Sequence, residues 1–372
     1  MTKSDNIIEA NAVTFTERGF DFANVLHSTK YSIDPTKLKS DELIVKALTT
    51  SINPSDLGII GAAYGAPPKL FHDLQTSEPV HIPGNETLLR VEYVGSDIKD
   101  YKVGDWVIPK NVGFGSWRSH AVVSTAEDKT PLIVLSNDED DSFTLEQGAT
   151  IMINPCTAYQ ILGQFIHDWK DDGNDWVIQN AGNSQVAKYL TQFTTLKNIK
   201  SISVIRDGKS DEEIKELYDL GATKVITESE FLKPEFIKET LPSWIGSKGN
   251  VRLAINSVGG PTTAQLVSSL SQDGYFVTFG MIGGQPISYN GGEQLQKNIT
   301  TKAYWLTANT KRDPESKVKT VVDLLKLYKD GKLKDVPFEK NIVKVGVDDI
   351  KSVFLQGIVK SKTNGKQIIV YE

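Results

Sequence analysis

"WVIQNAGNSQVAKYLTQF", Trp176 to Phe193, is the stretch whose reading decides the fold. A short apolar run leads into a turn of small residues, and apolar residues then recur at helical spacing. A strand, a tight turn and a helix in that order let backbone N–H groups approach a pyrophosphate at the positive end of the helix. Ala181 and Gly182 supply the close approach, Asn183 and Ser184 can cap the helix and donate hydrogen bonds, and Gln185 and Val186 open its first turn. The full G-x-G-x-x-G is absent: Ala181, Ser184 and Ala187 stand where glycines belong. Taken alone, the turn equally describes a purely structural strand-to-helix connection.

The next strand sharpens the reading. "SISVI", Ser201 to Ile205, runs into Arg206, about 24 residues beyond Gly182. In a doubly wound fold an acidic residue there holds a ribose 2′-hydroxyl, whereas an Arg accommodates a 2′-phosphate. Arg206, with Ser203 on the same strand, therefore favours NADP(H) over NAD(H), although Asp207 follows at once. Lys188, one turn into the first helix, reads as a solvated charge, with help to a phosphate as the lesser alternative. From there strands (Lys224–Glu228, Arg252–Val258, Tyr275–Gly280) alternate with helices (Gln185–Leu196, Asp211–Leu220, Thr262–Ser271). Such alternation argues for a parallel sheet with helices on both faces.

The first 150 residues carry another rhythm. Short strands, Glu42–Thr50, Thr87–Gly95, Val103–Pro109 and Gly115–Ser124, are punctuated by Gly and Pro, as in a compact barrel-like domain. "LEQGATIMINPCTAYQILGQF" then has helical spacing interrupted at Asn154-Pro155. A polar helix over Pro314–Lys329 and a last strand after the Asn364-Gly365 turn complete the first domain. The predicted division is 1–153 with 312–372, and 154–311 between them.

Composition narrows the function. A chain of 372 residues is too long for one ordinary core. Its 39% hydrophobic and 24% charged residues are those of a soluble globular protein, and no apolar run approaches a membrane span. A net charge of −6 argues against general nucleic-acid binding. Cys156 is the only cysteine and the five histidines have no paired ligand spacing, so neither an internal disulfide nor a thiolate zinc site is expected. The first residues, "MTKSDNIIEANAVTF", have neither a secretory core nor an Arg-rich presequence pattern, which leaves the compartment open.

One aromatic stands apart. "INPSDLGIIGAAYG", Ile52 to Gly65, ends a run of Gly and Ala on Tyr64. A packed aromatic, a substrate wall and a proton donor all remain open from the residues. Gly61, Ala62, Ala63 and Gly65 would leave room beside the ring for a thin ligand. Phe114-Gly115-Ser116-Trp117 and Trp305 are further candidate walls.

"INPSD", "VGDWVIP", "FGSW", "QGATIMINPCTAY", "WVIQNAGNSQVAK", "SVIRD" and "LAINSVGG" occur in this order from about residue 40 onward. Carrying them, the chain resembles the medium-chain dehydrogenase/reductase superfamily, and within it the mitochondrial 2-enoyl thioester reductases. The resemblance implies a GroES-like catalytic domain with an inserted Rossmann domain, a homodimer joined through the cofactor domains, and a mitochondrial matrix location. It implies NADPH-dependent reduction of the C2–C3 double bond of an acyl thioester carried on CoA or acyl carrier protein. Tyr64 matches the tyrosine that protonates the substrate there, and Asn53 matches the asparagine of "NPSD", a catalytic candidate that could hold the phenol oxygen or the cofactor ribose in line. Asn154, Gly280, Met281 and Trp305 join Ala181–Val186, Ser203 and Arg206 as cofactor contacts on the same footing.

That chemistry delivers a hydride to the β carbon and a proton to the α carbon. Charge building on the thioester oxygen calls for nearby donors, and a phenol, with a pKa of about 10, is protonated at neutral pH and ready to give up its proton. Zinc-dependent relatives carry Gly-His-Glu where this chain reads Gly84-Asn85-Glu86, so the ligand histidine is missing. The chain departs from the enoyl reductase pattern at Gly65–Pro68, at Thr87 and at Gly280–Gly284. A zinc-free quinone or alkenal reductase, or a nucleotide-binding paralogue without catalysis, are the alternative readings.

Overall fold

The computed structural model describes residues 7–65, 68–137, 143–363 and 365–372. Ala66 and Pro67, part of the Gly65–Pro68 departure from the family pattern, and Asn364 of the predicted Asn-Gly turn lie outside them. The chain divides into two compact units, Met1–Ile153 with Asp313–Lys329 and Pro337–Glu372, and Asn154–Arg312 with Asp330–Val336. The segment 330–336 thus goes with the second unit, where the sequence reading carries 312–372 whole into the first. The reason is a reciprocal pair of hydrogen bonds: the Lys334 N–H donates to Gln192 Oε1 at 2.8 Å, and Gln192 Nε2 donates to the Lys334 carbonyl at 3.2 Å. Gln192 is buried, and its amide needs both partners.

The second unit is a six-stranded sheet in the order Lys224–Thr227, Lys200–Ile205, Asp175–Gln179, Asn250–Asn256, Tyr275–Thr278, Thr300–Ala303. Every pairing is parallel. Parallel strands are covered on both faces and so read as continuous apolar runs, which is why Asp175–Gln179 is buried throughout. Chain order reverses between Asp175–Gln179 and Asn250–Asn256, the crevice where doubly wound sheets bind ligands. Trp176, Ile178, Ile202, Phe231, Phe236 and Phe276 fill this unit's main core. The helices Gln185–Leu196, Asp211–Asp219 and Thr262–Ser269 flank the sheet. Asp211–Asp219 starts at a capping box, Ser210 Oγ accepting the Glu213 N–H and Glu213 accepting the Ser210 N–H. The strand Thr300–Ala303 goes unread in the sequence because "TTKA" is polar and mostly exposed, as an edge strand can be.

The first unit is built on a seven-stranded sheet, Phe338–Val343, Lys366–Tyr371, Glu42–Ile52, Thr87–Val94, Asp105–Pro109 and Leu132–Asn137, with His120–Ser124 paired to Glu42–Ile52. Its pairings are antiparallel except that of Phe338–Val343 with Lys366–Tyr371. The helix Ile350–Lys360 packs on this unit's core, with Phe354 stacked on Trp117 at 4.4 Å. The stretch interrupted at Asn154-Pro155 resolves into two helices, Leu145–Thr150 and Asn154–Gln164. No helix among the described residues is long and apolar enough to cross a membrane.

Candidate active site

In the second unit, most of the sequence candidates meet at the carboxyl ends of the parallel strands. Ala181 follows Asp175–Gln179 with φ at +47°, a left-handed turn that swings the chain toward the helix. Gly182 lies against the neighbouring strand: its N–H donates to the Val204 carbonyl at 2.7 Å, and a Cβ placed there would come within 2.6 Å of Ser203 Cβ. Only glycine fits without displacing that strand. Ser184 caps the helix, its Oγ accepting the Ala187 N–H at 3.3 Å. Asn183, Ser184 and Gln185 are half-buried at the helix start, while Val186 is buried. Ser203 is buried as well, its hydroxyl accepting from Gln179 Nε2 at 3.2 Å, so it braces the turn from beneath.

Arg206, at the end of the adjacent strand, is exposed and has no ion pair among the described residues. The neighbouring Asp207 is engaged elsewhere. Its carboxylate accepts the Ser229 hydroxyl and, at 3.2 Å, the Ser229 N–H, and those hydrogen bonds hold its pKa below the usual range. Lys188 departs from its reading as a solvated charge: it is buried and paired with Glu216 at 2.6 Å.

On the far side of the crevice, the segment after Tyr275–Thr278 hydrogen-bonds along the end of Asn250–Asn256. The Ile282 N–H donates to Ser257 and the Gly283 N–H to Val258, which places Gly280 and Met281 at the reversal point. Trp305, 41% exposed, follows the edge strand. Asn154 is the first residue of a helix packed on Gln185–Leu196. The sequence reading missed Asn180, which sits under the crevice. Its amide donates to Asn256 Oδ1 at 2.8 Å and Thr262 Oγ1 at 3.0 Å and accepts the Ser257 N–H at 2.8 Å, tying the two reversal strands together.

In the first unit, the strand Glu42–Ile52 delivers Asn53, and Pro54 opens the helix Pro54–Ile60. The Asp56 carboxylate accepts the Asn53 N–H at 2.8 Å. The chain then doubles back: the Ala63 and Tyr64 N–H groups both donate to the Gly58 carbonyl, at 2.8 and 3.0 Å. Tyr64 is half-buried, with its Cβ against Gly58. Gly61 does not leave ligand room as the sequence suggests, because the Phe20 ring already occupies the space a Cβ would take. Gly65 borders open space, and Ala62 and Ala63 are exposed. Trp117 is a core residue rather than a wall.

Beneath this helix lies a buried polar network. Glu86 is fully buried. Its Oε2 accepts from Ser51 Oγ at 2.6 Å, Asn53 Nδ2 at 3.0 Å and Lys366 Nζ at 3.1 Å, and its Oε1 accepts the Ile153 N–H at 2.9 Å. Lys366 Nζ also donates to Asn53 Oδ1 at 2.7 Å. Asn85 donates to Asp56 Oδ1 at 2.7 Å and accepts the Gly113 N–H at 2.8 Å. Burial drives the Asp56 carboxyl up to about pKa 7 against the opposing pull of its hydrogen bonds and of Lys366. Thr87, where the family pattern has glycine, starts its strand and donates its hydroxyl to the Thr49 carbonyl at 2.8 Å. The Asn53 amide is thus directed inward at both ends. Lys366 carries no motif signal, and only the tertiary contacts reveal it, whereas Asp56 closes the "INPSD" motif and the fold adds its partner Asn85.

A family model for the alcohol dehydrogenase GroES-like domain matches residues 39–130. The chain is 49% identical to enoyl-[acyl-carrier-protein] reductase 1, mitochondrial, of Debaryomyces hansenii, over 98% of this chain and 99% of that protein. Among solved structures it resembles the Etr1p complex with NADP and crotonyl-CoA, with a TM-score of 0.90 and 35% identity over 98% of this chain and 100% of that one. It also resembles the mitochondrial 2-enoyl thioester reductase Etr1p/Etr2p heterodimer from Candida tropicalis, with a TM-score of 0.91 and 37% identity at the same coverage. A GroES-like unit, a doubly wound parallel sheet and this identity over nearly the whole length together mean that the chain belongs to the enoyl-[acyl-carrier-protein] reductase family of medium-chain dehydrogenases/reductases.

Proposed function

We propose that this protein reduces the C2–C3 double bond of trans-2-enoyl thioesters, carried on CoA or acyl carrier protein, with NADPH. The observation that carries the reading is the full-length likeness to a reductase structure holding NADP and crotonyl-CoA. The second unit fits such a cofactor. The turn Ala181–Ser184, held by the Gly182 N–H on the Val204 carbonyl and the Ser184 N–H on the Ala181 carbonyl, brings the positive end of the helix Gln185–Leu196 to the strand ends, and Gly182 keeps the floor of the turn free of a side chain. Arg206, its acidic neighbour diverted to Ser229, is the residue for a 2′-phosphate. Asn154, Asn183, Gln185, Val186, Gly280, Met281 and Trp305 complete the proposed contact set, with Ser203 bracing it.

Bound NADPH supplies the hydride for the β carbon. The charge that then develops on the thioester carbonyl is stabilised by hydrogen-bond donors, and the phenol of Tyr64 gives its proton to the α carbon. The phenolate left behind is reprotonated from solvent. Asn53, its amide held by Glu86 and Lys366, fixes the start of the helix that leads to Tyr64. We assign the matrix of mitochondria as the compartment, since the similar reductases are named mitochondrial. We assign a homodimer through the cofactor units, supported by the edge strand Thr300–Ala303 and the exposed apolar Leu295 shortly before it in sequence.

The test is NADPH oxidation by the purified protein with crotonyl-CoA and longer trans-2-enoyl-CoA substrates, with NADH and a quinone run in parallel. Turnover that requires the enoyl thioester and prefers NADPH is the expected result. Cofactor binding with no turnover at any acyl length would remove the enzyme reading, and turnover on the quinone alone would replace the substrate. Sedimentation equilibrium checks the dimer.

A further inference from the structure

We infer that Lys366 is a positioning residue for the proton-transfer step, acting through Asn53 on the segment that bears Tyr64. The inference rests on the reading of Tyr64 as the proton donor. Lys366 lies on the strand Lys366–Tyr371, more than 300 positions from Asn53 in the chain, and its side chain is 4% exposed. An ammonium so buried is retained only where its partners repay its desolvation. It has two of them here: the carboxylate of Glu86 at 3.1 Å and the amide oxygen of Asn53 at 2.7 Å. Glu86 takes the other end of the same amide, at 3.0 Å.

The Asn53 side chain is therefore gripped from both sides by opposite charges, which fixes its amide orientation. Asn53 is in turn the cap of Pro54–Ile60, and its own N–H is tied to Asp56. Through the Gly58 carbonyl that helix carries the N–H groups of both Ala63 and Tyr64. The path from ammonium to phenol is thus one amide, one helix and two backbone hydrogen bonds. Small misplacements of a reacting group carry large rate penalties, so a network that sets the helix start sets the phenol.

The geometry separates this role from simple charge neutralisation. Were Lys366 present only to balance Glu86, replacing both by neutral groups of similar shape would leave catalysis intact. The paired variant E86Q/K366M removes both charges together, so that Glu86 is not left as an unpaired carboxylate, and the buried Asp56 keeps its hydrogen bonds to the Asn53 N–H and Asn85. The paired variant still lacks the donor to Asn53 Oδ1.

In the experiment, NADPH and crotonyl-CoA kinetics are measured for E86Q/K366M, K366M and Y64F, with the solvent deuterium isotope effect on kcat and the NADPH dissociation constant for each. For E86Q/K366M we expect a cooperative melt, unchanged NADPH affinity, kcat lowered roughly tenfold or more, and a larger solvent isotope effect as proton transfer becomes slower. K366M, should it fold, shows the same signature. A wild-type kcat in E86Q/K366M, or a lowered kcat with an unchanged isotope effect, overturns the positioning role while leaving Tyr64 in place. Near-normal turnover in Y64F removes the proton-donor reading itself and this inference with it.

Discussion

Tyr64 stands at the end of a helix with its backbone hydrogen-bonded to Gly58, and its hydroxyl is the one group the proposed chemistry cannot replace. Tyr64→Phe keeps the ring and its packing but removes the proton, so kcat on crotonyl-CoA should fall about 100-fold or more while the NADPH dissociation constant holds. Steady-state kinetics with fluorescence titration of NADPH check both halves. Arg206 offers the complementary test in the other unit. Its guanidinium is free of ion pairs among the described residues, and Asp207 is occupied by Ser229. A charge-assisted contact to phosphate contributes about 1.5–3 kcal/mol, so Arg206→Ala should raise KM for NADPH about tenfold or more. KM for NADH should stay where it is, and a parallel rise with both cofactors would move the 2′-phosphate contact away from Arg206.

At the scale of the element, the turn Ala181–Ser184 works only because Gly182 lies flush with the strand Lys200–Ile205. A methyl group at position 182 meets Ser203 Cβ at 2.6 Å and the Ser203 backbone at 2.9 Å, and backbone cannot step aside as a flexible side chain does. Gly182→Ala should therefore cost about 1–3 kcal/mol and weaken NADPH binding, because relief comes by lifting the turn from the sheet. Thermal melts with and without NADPH measure the two effects. A substitution that leaves both unchanged would show that the turn can relax without consequence. The buried network under Pro54–Ile60 is the matching device of the other unit. There Asn85 stands where zinc-dependent relatives have histidine, and both ends of its amide are spent on structure, on Asp56 and on the Gly113 N–H.

Across the whole molecule, two buried groups of the first unit give its stability opposite responses to acid. Burial, and after it the Lys46 ammonium nearby, lowers the His120 imidazole from 6.5 to about 4. Its contribution is fully present above pH 6.5 and lost as pH falls toward 4, about 3 kcal/mol in all. Asp56, raised from 3.8 to about 7, acts the other way: its stabilising neutral form is complete below 3.8 and is lost as pH rises through 7. Melting temperatures between pH 4 and 7.5 should thus fall less on acidification in His120→Gln than in wild type, and fall more in Asp56→Asn. Parallel curves for all three proteins would exclude both groups. What the sequence by itself determined is the local and periodic part. Strand, turn and helix around Trp176–Phe193 follow from residue spacing, the helix Gln185–Leu196 has the bounds that its periodicity and Ser184 dictate, and the ordered motifs carry the family. The tertiary structure alone decided the long-range part: Lys366 beside Asn53, Phe20 over Gly61, Lys188 buried with Glu216, and 330–336 grouped with the cofactor unit. These pairings join residues far apart in the chain, and no periodicity encodes the partner of a single buried charge. A lysine bound for the interior and one bound for solvent look alike until the fold closes around them.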